Sequence, residues 1–365
     1  MSGRRAFLAT LGAVALAGRV GPVSRPARAQ AVGRTSMFLA YTSFAVRLAQ
    51  GRDVLKSTAG ALDADTFRQL CERFGASGVQ ADYSQLPVDD MPALAGIGGR
   101  FDGHGIDIEV SMPARYLETP EAYARAVRIA RAVGASRARV ALLSGRRYES
   151  FATASAWHAF VETWRGTLRR MRPEFDRHQF AIGIENHKDW LARELADLLH
   201  EVGTPYVGAC LDFGNNLALL EEPDETIALL APFAVTTHVK DMAVRPIEDG
   251  FELSEVPLGQ GLLPLGRYVA AIRRARPDAR FCLEMITRDP LRVPYRTDRY
   301  WVTFDAARRD PRRIDAFESR VLAHASPRPL PRVTGLSPAQ QVAAEDENVR
   351  ASVAHARRAL ALEAD

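Results

Sequence analysis

The chain has 365 residues, 47% hydrophobic and 25% charged, enough apolar material for one large core or two ordinary ones, which excludes disorder and collagen-like repeats. Its formal charge of +4 sits at the front: residues 1–29 carry Arg4, Arg5, Arg19, Arg25 and Arg28 and no acid, and the remainder holds 43 basic against 44 acidic residues. Charge therefore gives no support to a nucleic-acid partner.

Arg4-Arg5-Ala6-Phe7-Leu8 leads into an apolar run, Leu8 to Leu16, and a helix-breaking stretch then ends in Ala27-Arg28-Ala29-Gln30, a cleavage site of the A-x-A type. Residues 1–29 resemble a twin-arginine export signal. That resemblance implies the twin-arginine translocation machinery as a partner and a periplasmic mature protein, exported already folded. Gly3 and Ala9 stand where Ser or Thr and Lys are usual, which leaves general secretion as the alternative. No later segment reaches 18 uninterrupted apolar residues, so no transmembrane segment is expected in the mature protein. Cys71, Cys210 and Cys282 fall in a helical segment and two apolar strand runs, which reads as three small buried hydrophobes rather than a disulfide framework.

Strand-like runs follow in order at Met37–Thr42, Gly78–Tyr83, Gly105–Ser111, Arg137–Leu143, Phe180–Asn186, Val207–Asp212, Val235–Lys240 and Phe281–Ile286. Between them lie amphipathic segments at Thr66–Phe74, Pro120–Val133, Thr153–Arg172, Trp190–Val202, Asp224–Leu230 and Leu265–Ala275. Strand alternating with helix about eight times predicts an α/β fold, a (β/α)8 TIM barrel over residues 34–288. An open doubly wound sheet is disfavoured because no G-x-G-x-x-G follows the first strand. Residues 289–365 form a C-terminal helical and irregular extension. Its Tyr295, Tyr300, Trp301 and Phe304 are expected to pack on the barrel or on a second subunit, which is compatible with a homo-oligomer, and 337–362 reads as an alanine-rich helix.

Four successive apolar strands end in a metal-ligand type: Glu185, Asp212, His238 and Glu284, spaced by 27, 26 and 46 residues. The last gap is one repeat plus a long loop, Met242 to Gln260. All strands of such a barrel run the same way, so the four side chains converge on the C-terminal rim. Three carboxylates at the end of an apolar core require a cation. The oxygen-rich, thiolate-free set favours Mn²⁺ or Mg²⁺, with Co²⁺ and catalytic Zn²⁺ left open. Period-2 alternation puts His187 and Lys240 on the same face one layer higher. A plain rim ion pair to Asp189 or Asp241 is the alternative for each. Asn215, Asn216, Lys188 and Arg288 lie on adjoining loops, and Tyr41, Gln80 and Asp82 end the first two strands, where small polar substrates are often held.

The segments Gly183-Ile184-Glu185-Asn186-His187, Cys210-Leu211-Asp212-Phe213-Gly214-Asn215-Asn216, Thr237-His238-Val239-Lys240-Asp241 and Leu283-Glu284-Met285 resemble the xylose isomerase-like barrel superfamily, in its sugar phosphate isomerase/epimerase branch. The resemblance implies one divalent ion, commonly Mn²⁺, on Glu185, Asp212, His238 and Glu284. It also implies that the two glutamates move protons on opposite faces of a carbohydrate substrate. Asn215 stands where the ketose 3-epimerases carry a substrate-binding His, so that specificity does not carry over.

The expected chemistry is α-proton abstraction by Glu185 or Glu284 through a metal-stabilised enediolate. Return of a proton to the other face gives an isomerase or epimerase. Protonation of a β-leaving oxygen by His187 or Lys240 gives instead a periplasmic 3-keto-glycoside lyase or dehydratase. Asn215, Arg288, Tyr41 and Gln80 are the expected substrate contacts. Endonuclease IV shares the barrel, but its several zinc ions, extra histidines and basic face do not match this chain. A non-catalytic sugar-binding barrel is the remaining class.

Overall fold

The computed structural model describes residues 35–53 and 63–362, so the leader expected at 1–29 lies outside the described residues. Among the described residues eleven strands follow in chain order: β1 (Thr35–Ala40), β2 (Ala76–Asp82), β3 (Asp107–Ser111), β4 (Arg137–Val140), β5 (Ala181–Glu185), β6 (Val207–Asp212), β7 (Ala234–Val239), β8 (Asp241–Ile247), β9 (Gly250–Val256), β10 (Arg280–Leu283) and β11 (Leu291–Val293). Eight of them close into an all-parallel barrel in the order β1-β10-β7-β6-β5-β4-β3-β2. The expected (β/α)8 barrel is thus the observed one.

Helices form the outer ring, and local chemistry sets their ends. Asp63 accepts from the Thr66 amide ahead of Ala64–Phe74, and Gly75 closes that helix in the left-handed conformation (φ 69°). Thr119 caps Pro120–Ala132, where proline at the first position loses no hydrogen bond. The helix expected to stop at Arg172 runs Ala154–His178, straight through Pro173. Its buried face continues to Phe175, and that burial outweighs the one hydrogen bond that proline cannot donate.

The long loop expected from Met242 to Gln260 is in fact mostly sheet. β8 and β9 form a hairpin, and β11 adds to it in the order β11-β9-β8. The extension packs on the barrel through its aromatics: the Tyr300 hydroxyl donates to the Ala218 carbonyl (2.9 Å), and Tyr300 stacks on Phe304. The helix Pro338–Ala359 docks on the helix Ala45–Asp53, where Glu345 accepts from the Val46 amide (2.7 Å) and pairs with Arg47 (2.8 Å). Beyond it, Leu362 O accepts from Ser36 N (2.9 Å) and from the Thr35 hydroxyl at the start of β1. No helix among the described residues is long and apolar enough to cross a membrane.

Candidate metal centre at the C-terminal mouth

Strand register assembles the cluster. Asp212 on β6 lies directly beside His238 on β7. Glu185 pairs with Cys210, two residues below Asp212, and Cys282 pairs with His238, so Glu284 stands one position past the end of β10 and two above Cys282. Two-residue steps keep all four on the barrel interior. Each offers a ligand atom within 4.8 Å of the others, and all four are buried.

Each donor is held in place. Asp212 Oδ1 accepts from the amides of Gly214 (2.9 Å) and Asn215 (2.7 Å), so the turn after β6 fixes one oxygen. Oδ2 is buried and accepts no hydrogen bond, although Lys240 Nζ lies 2.8 Å away out of hydrogen-bond alignment. His238 Nδ1 faces Glu185 Oε1 (3.3 Å), Glu284 Oε1 (3.4 Å) and Asp212 Oδ2 (3.8 Å). Its Nε2 donates to Gln80 Oε1 (2.9 Å). Gln80 Nε2 donates to Glu109 Oε1 (2.8 Å), and Glu109 Oε2 accepts from the Thr236 hydroxyl (3.0 Å). This chain fixes the amide of Gln80 with its oxygen toward the imidazole. Nδ1 is left as the ligand atom, the usual role of such supporting groups.

Burial and neighbouring charge pull against each other throughout the cluster. Against burial, the Arg139 guanidinium and His238 hold Glu185 well below the usual carboxylate range. Glu284 is likewise held down, burial being overcome by His238 and Lys240. Burial raises Asp212, against the pull of Lys240. Cys210 Sγ also approaches Glu185 and His238. Burial pushes that thiol up to about 12, so the carboxylate and imidazole donors are the fitting set. A buried carboxylate oxygen without a donor, aimed with an imidazole nitrogen and two more carboxylates at one point, fits a hard divalent cation.

The other expected site residues have definite places. Lys240 Nζ bridges Asp212, Glu284 and the Asn215 amide oxygen (3.3 Å), rather than Asp241. Asp241 instead receives the amides of Met242, Gly259, Gly261 and Leu263. Asn215 spends its other end on Glu185 Oε1 (3.0 Å). Gln80, expected at the substrate, has both ends of its amide taken by protein and positions His238. Tyr41, at the end of β1, lies near Arg139 and Ser111 with its hydroxyl raised by burial. His187 donates through Nδ1 to the Leu143 carbonyl (3.0 Å), since a carbonyl only accepts, and burial pushes the ring down to about 3. Arg288 pairs with Glu255 on β9.

Arg139, Glu109, Thr42 and Glu255 are parts of the mouth that sequence reasoning passed over. Arg139 on β4 pairs with Glu185 and donates to the Ser111 hydroxyl (3.1 Å). Thr42 donates to Glu284 Oε1 (2.9 Å). A lone charge inside an apolar strand run, at Arg139 and at Glu109, was the available signal.

A family model described as a xylose isomerase-like TIM barrel matches residues 41–303. A curated 3-oxo-isoapionate decarboxylase from Pectobacterium atrosepticum is 36% identical over 115 residues, 31% of this chain and 41% of that protein, so the chain spans less than half of that relative's length. Among solved structures, a D-psicose 3-epimerase in the presence of D-fructose superimposes with a TM-score of 0.53 at 14% identity, over 82% of this chain and 94% of that one. A D-psicose 3-epimerase with D-tagatose from Clostridium cellulolyticum H10 gives 0.52 at 14% identity over 83% and 95%. The IOLI protein with a binding zinc atom gives 0.50 at 12% identity over 80% and 99%. At these identities the structural likeness is one of fold.

Proposed function

The chain belongs to the xylose isomerase-like TIM barrel family, and from that premise we propose that it is a divalent-metal-dependent enzyme that enolises a small carbohydrate, as an isomerase or epimerase acting by α-proton abstraction. One observation carries the reading: four buried O and N donors from Glu185, Asp212, His238 and Glu284 lie within 4.8 Å of one another at the mouth. An ion held there, Mn²⁺ foremost, would supply Lewis acidity toward a carbonyl and its neighbouring hydroxyl.

The chain's own groups do the rest. Glu185 and Glu284 are both held ionised, the form that accepts a proton. They stand on β5 and on the end of β10, three steps apart around an eight-strand ring, so they reach a substrate from different sides. That placement supports proton removal on one face and return on the other. Lys240 stays an ammonium between Asp212 and Glu284 and offers positive charge where the substrate oxygen gains negative charge.

The β-elimination reading needs an acid at the leaving oxygen. A neutral His187 with its Nδ1 proton committed to Leu143 supports that role poorly, which leaves Lys240. A second reading draws on the curated relative: a 3-oxo acid losing CO₂ would pass through the same enolate. Export to the periplasm stays part of the proposal, on the residues of the leader.

Proton NMR in D₂O tests the reading, with ketoses and 3-keto-glycosides incubated with Mn²⁺-loaded enzyme. Deuterium uptake with inversion is the expected result. Release of aglycone would move the assignment to the lyase, and no exchange with any substrate would leave a non-catalytic sugar-binding barrel.

A further inference from the structure

Four cationic side chains line the mouth, and three of them face carboxylates. Arg139 lies on Glu185, Lys240 on Asp212 and Glu284, and Arg288 on Glu255. Lys188 is the exception: among the described residues it has no carboxylate within 4.0 Å, although it is only 4% exposed. Burying an ammonium with no counter-charge is costly, and such a group is retained where something else supplies the charge. Lys240 and Arg288 both approach Glu255, at 4.0 and 2.5 Å, and after burial itself their positive charges are what act most on Lys188, ahead of Glu255 and Asp212. Three cations therefore share one part of the mouth.

The backbone adds a second, independent observation. Lys188 has φ 67°, in the left-handed region, a conformation that strains a residue with a Cβ. The conformation is imposed from both sides. Arg147 N donates to Lys188 O (3.0 Å), and Asp189 Oδ1 accepts from His187 N (2.9 Å) and Trp190 N (2.8 Å) across the turn. A strained residue held this firmly, burying a charge with no acid in ion-pair range, is the kind of outlier from which function is fairly inferred.

We propose that Lys188, with Arg288 and Lys240 beside it, forms a carboxylate-binding subsite, and that the substrate is an anionic keto-sugar acid rather than a neutral ketose. This rests on the enolising-centre reading for where the substrate lies. Once Glu185, Asp212 and Glu284 share a divalent ion, Glu255 faces Lys188, Lys240 and Arg288 with one negative charge against three positive, and an anionic substrate group offsets part of that excess. The side chain is a binding group; no bond is made or broken on it.

A matched pair of probes tests the subsite: D-fructose and 2-keto-D-gluconate differ only in a hydroxymethyl or a carboxylate next to the carbonyl. Calorimetry on the Mn²⁺-loaded protein should show 2-keto-D-gluconate binding about tenfold tighter or more, the worth of a charge-assisted contact. Lys188→Met should bring that ratio close to one, and Lys188→Arg should restore most of it. A wild-type ratio near one overturns the proposal, as does an unchanged ratio in a Lys188→Met protein that still binds Mn²⁺. Should Lys188→Met lose Mn²⁺, Lys188→Gln is read the same way. Deuterium exchange of D-fructose without an affinity difference would sink the subsite and leave the enolising centre. An affinity difference without exchange would do the reverse.

Discussion

At the N-terminal end of the barrel, Arg137 and Arg280 turn their guanidinium groups on neutral partners. Arg137 donates to the carbonyls of Val235 (2.6 Å) and Asp278 (3.0 Å), and Arg280 reaches Ile108 O (3.4 Å) and lies over the Phe38 ring at 4.5 Å. At the C-terminal end, cations and carboxylates are crowded together, with two buried carboxylate oxygens, Asp212 Oδ2 and Asp189 Oδ2, lacking a hydrogen-bond donor and one ammonium, Lys188, lacking an acid within 4.0 Å among the described residues. The lower arginines are half-buried and served by fixed backbone dipoles, whereas the upper cluster keeps charges and lone pairs that the chain itself leaves open, which the proposed cation and anion would complete. The difference supports placing the proposed chemistry at the C-terminal end, on grounds independent of any relative.

The sharpest way to break this contrast is at the upper end. Glu284→Gln keeps the shape and removes the charge, so solvent deuterium exchange should fall by about 10²–10⁴ with the far-UV spectrum unchanged; full turnover would take Glu284 out of the mechanism. One layer below, Gln80→Met removes the acceptor for His238 Nε2. Mn²⁺ affinity measured by titration should then weaken by about 10–100-fold, and an unaltered affinity would make the Glu109–Gln80 chain a matter of packing.

Lys188 gives a smaller and pH-dependent effect. Burial, aided by Lys240 and Arg288 and opposed by Glu255 and Asp212, pushes it down to about 8. The ammonium is present below that value and lost above it, so 2-keto-D-gluconate affinity should fall as pH rises through 8 and level off about tenfold lower, at the affinity of Lys188→Met. Lys188→Arg should carry the affinity to higher pH, and a flat profile in the wild type would contradict the assignment. Least of all should happen at the lower end. Arg137→Leu should cost about 1–3 kcal/mol of stability, because two carbonyls lose a donor, while exchange and Mn²⁺ affinity stay as they were; a loss of either would erase the contrast.

The alternation of strands and helices was legible in the sequence, as was the set of strand ends that spells Glu185, Asp212, His238 and Glu284. Both depend on periodicity, which a single chain displays directly. Which side chains meet was less legible. Arg139 lies beside Gly183, two residues below the Glu185 it pairs with, and Glu109 lies beside Gln80, because of how far one strand slides past the next, and composition carries no trace of that slide. Glu255 was hidden by reading 242–260 as loop. The alternation Phe251-Glu252-Leu253-Ser254 after the Asp249-Gly250 turn was the overlooked hairpin signal. Gln80 shows the limit of position alone: a strand end can serve a neighbour instead of a substrate.

The bond from Leu362 back to Thr35 and Ser36 spans 327 residues for the threonine. The start of β1 therefore gains these two contacts only once the helix Pro338–Ala359 has docked, so the extension acts as a clasp on the barrel's first strand.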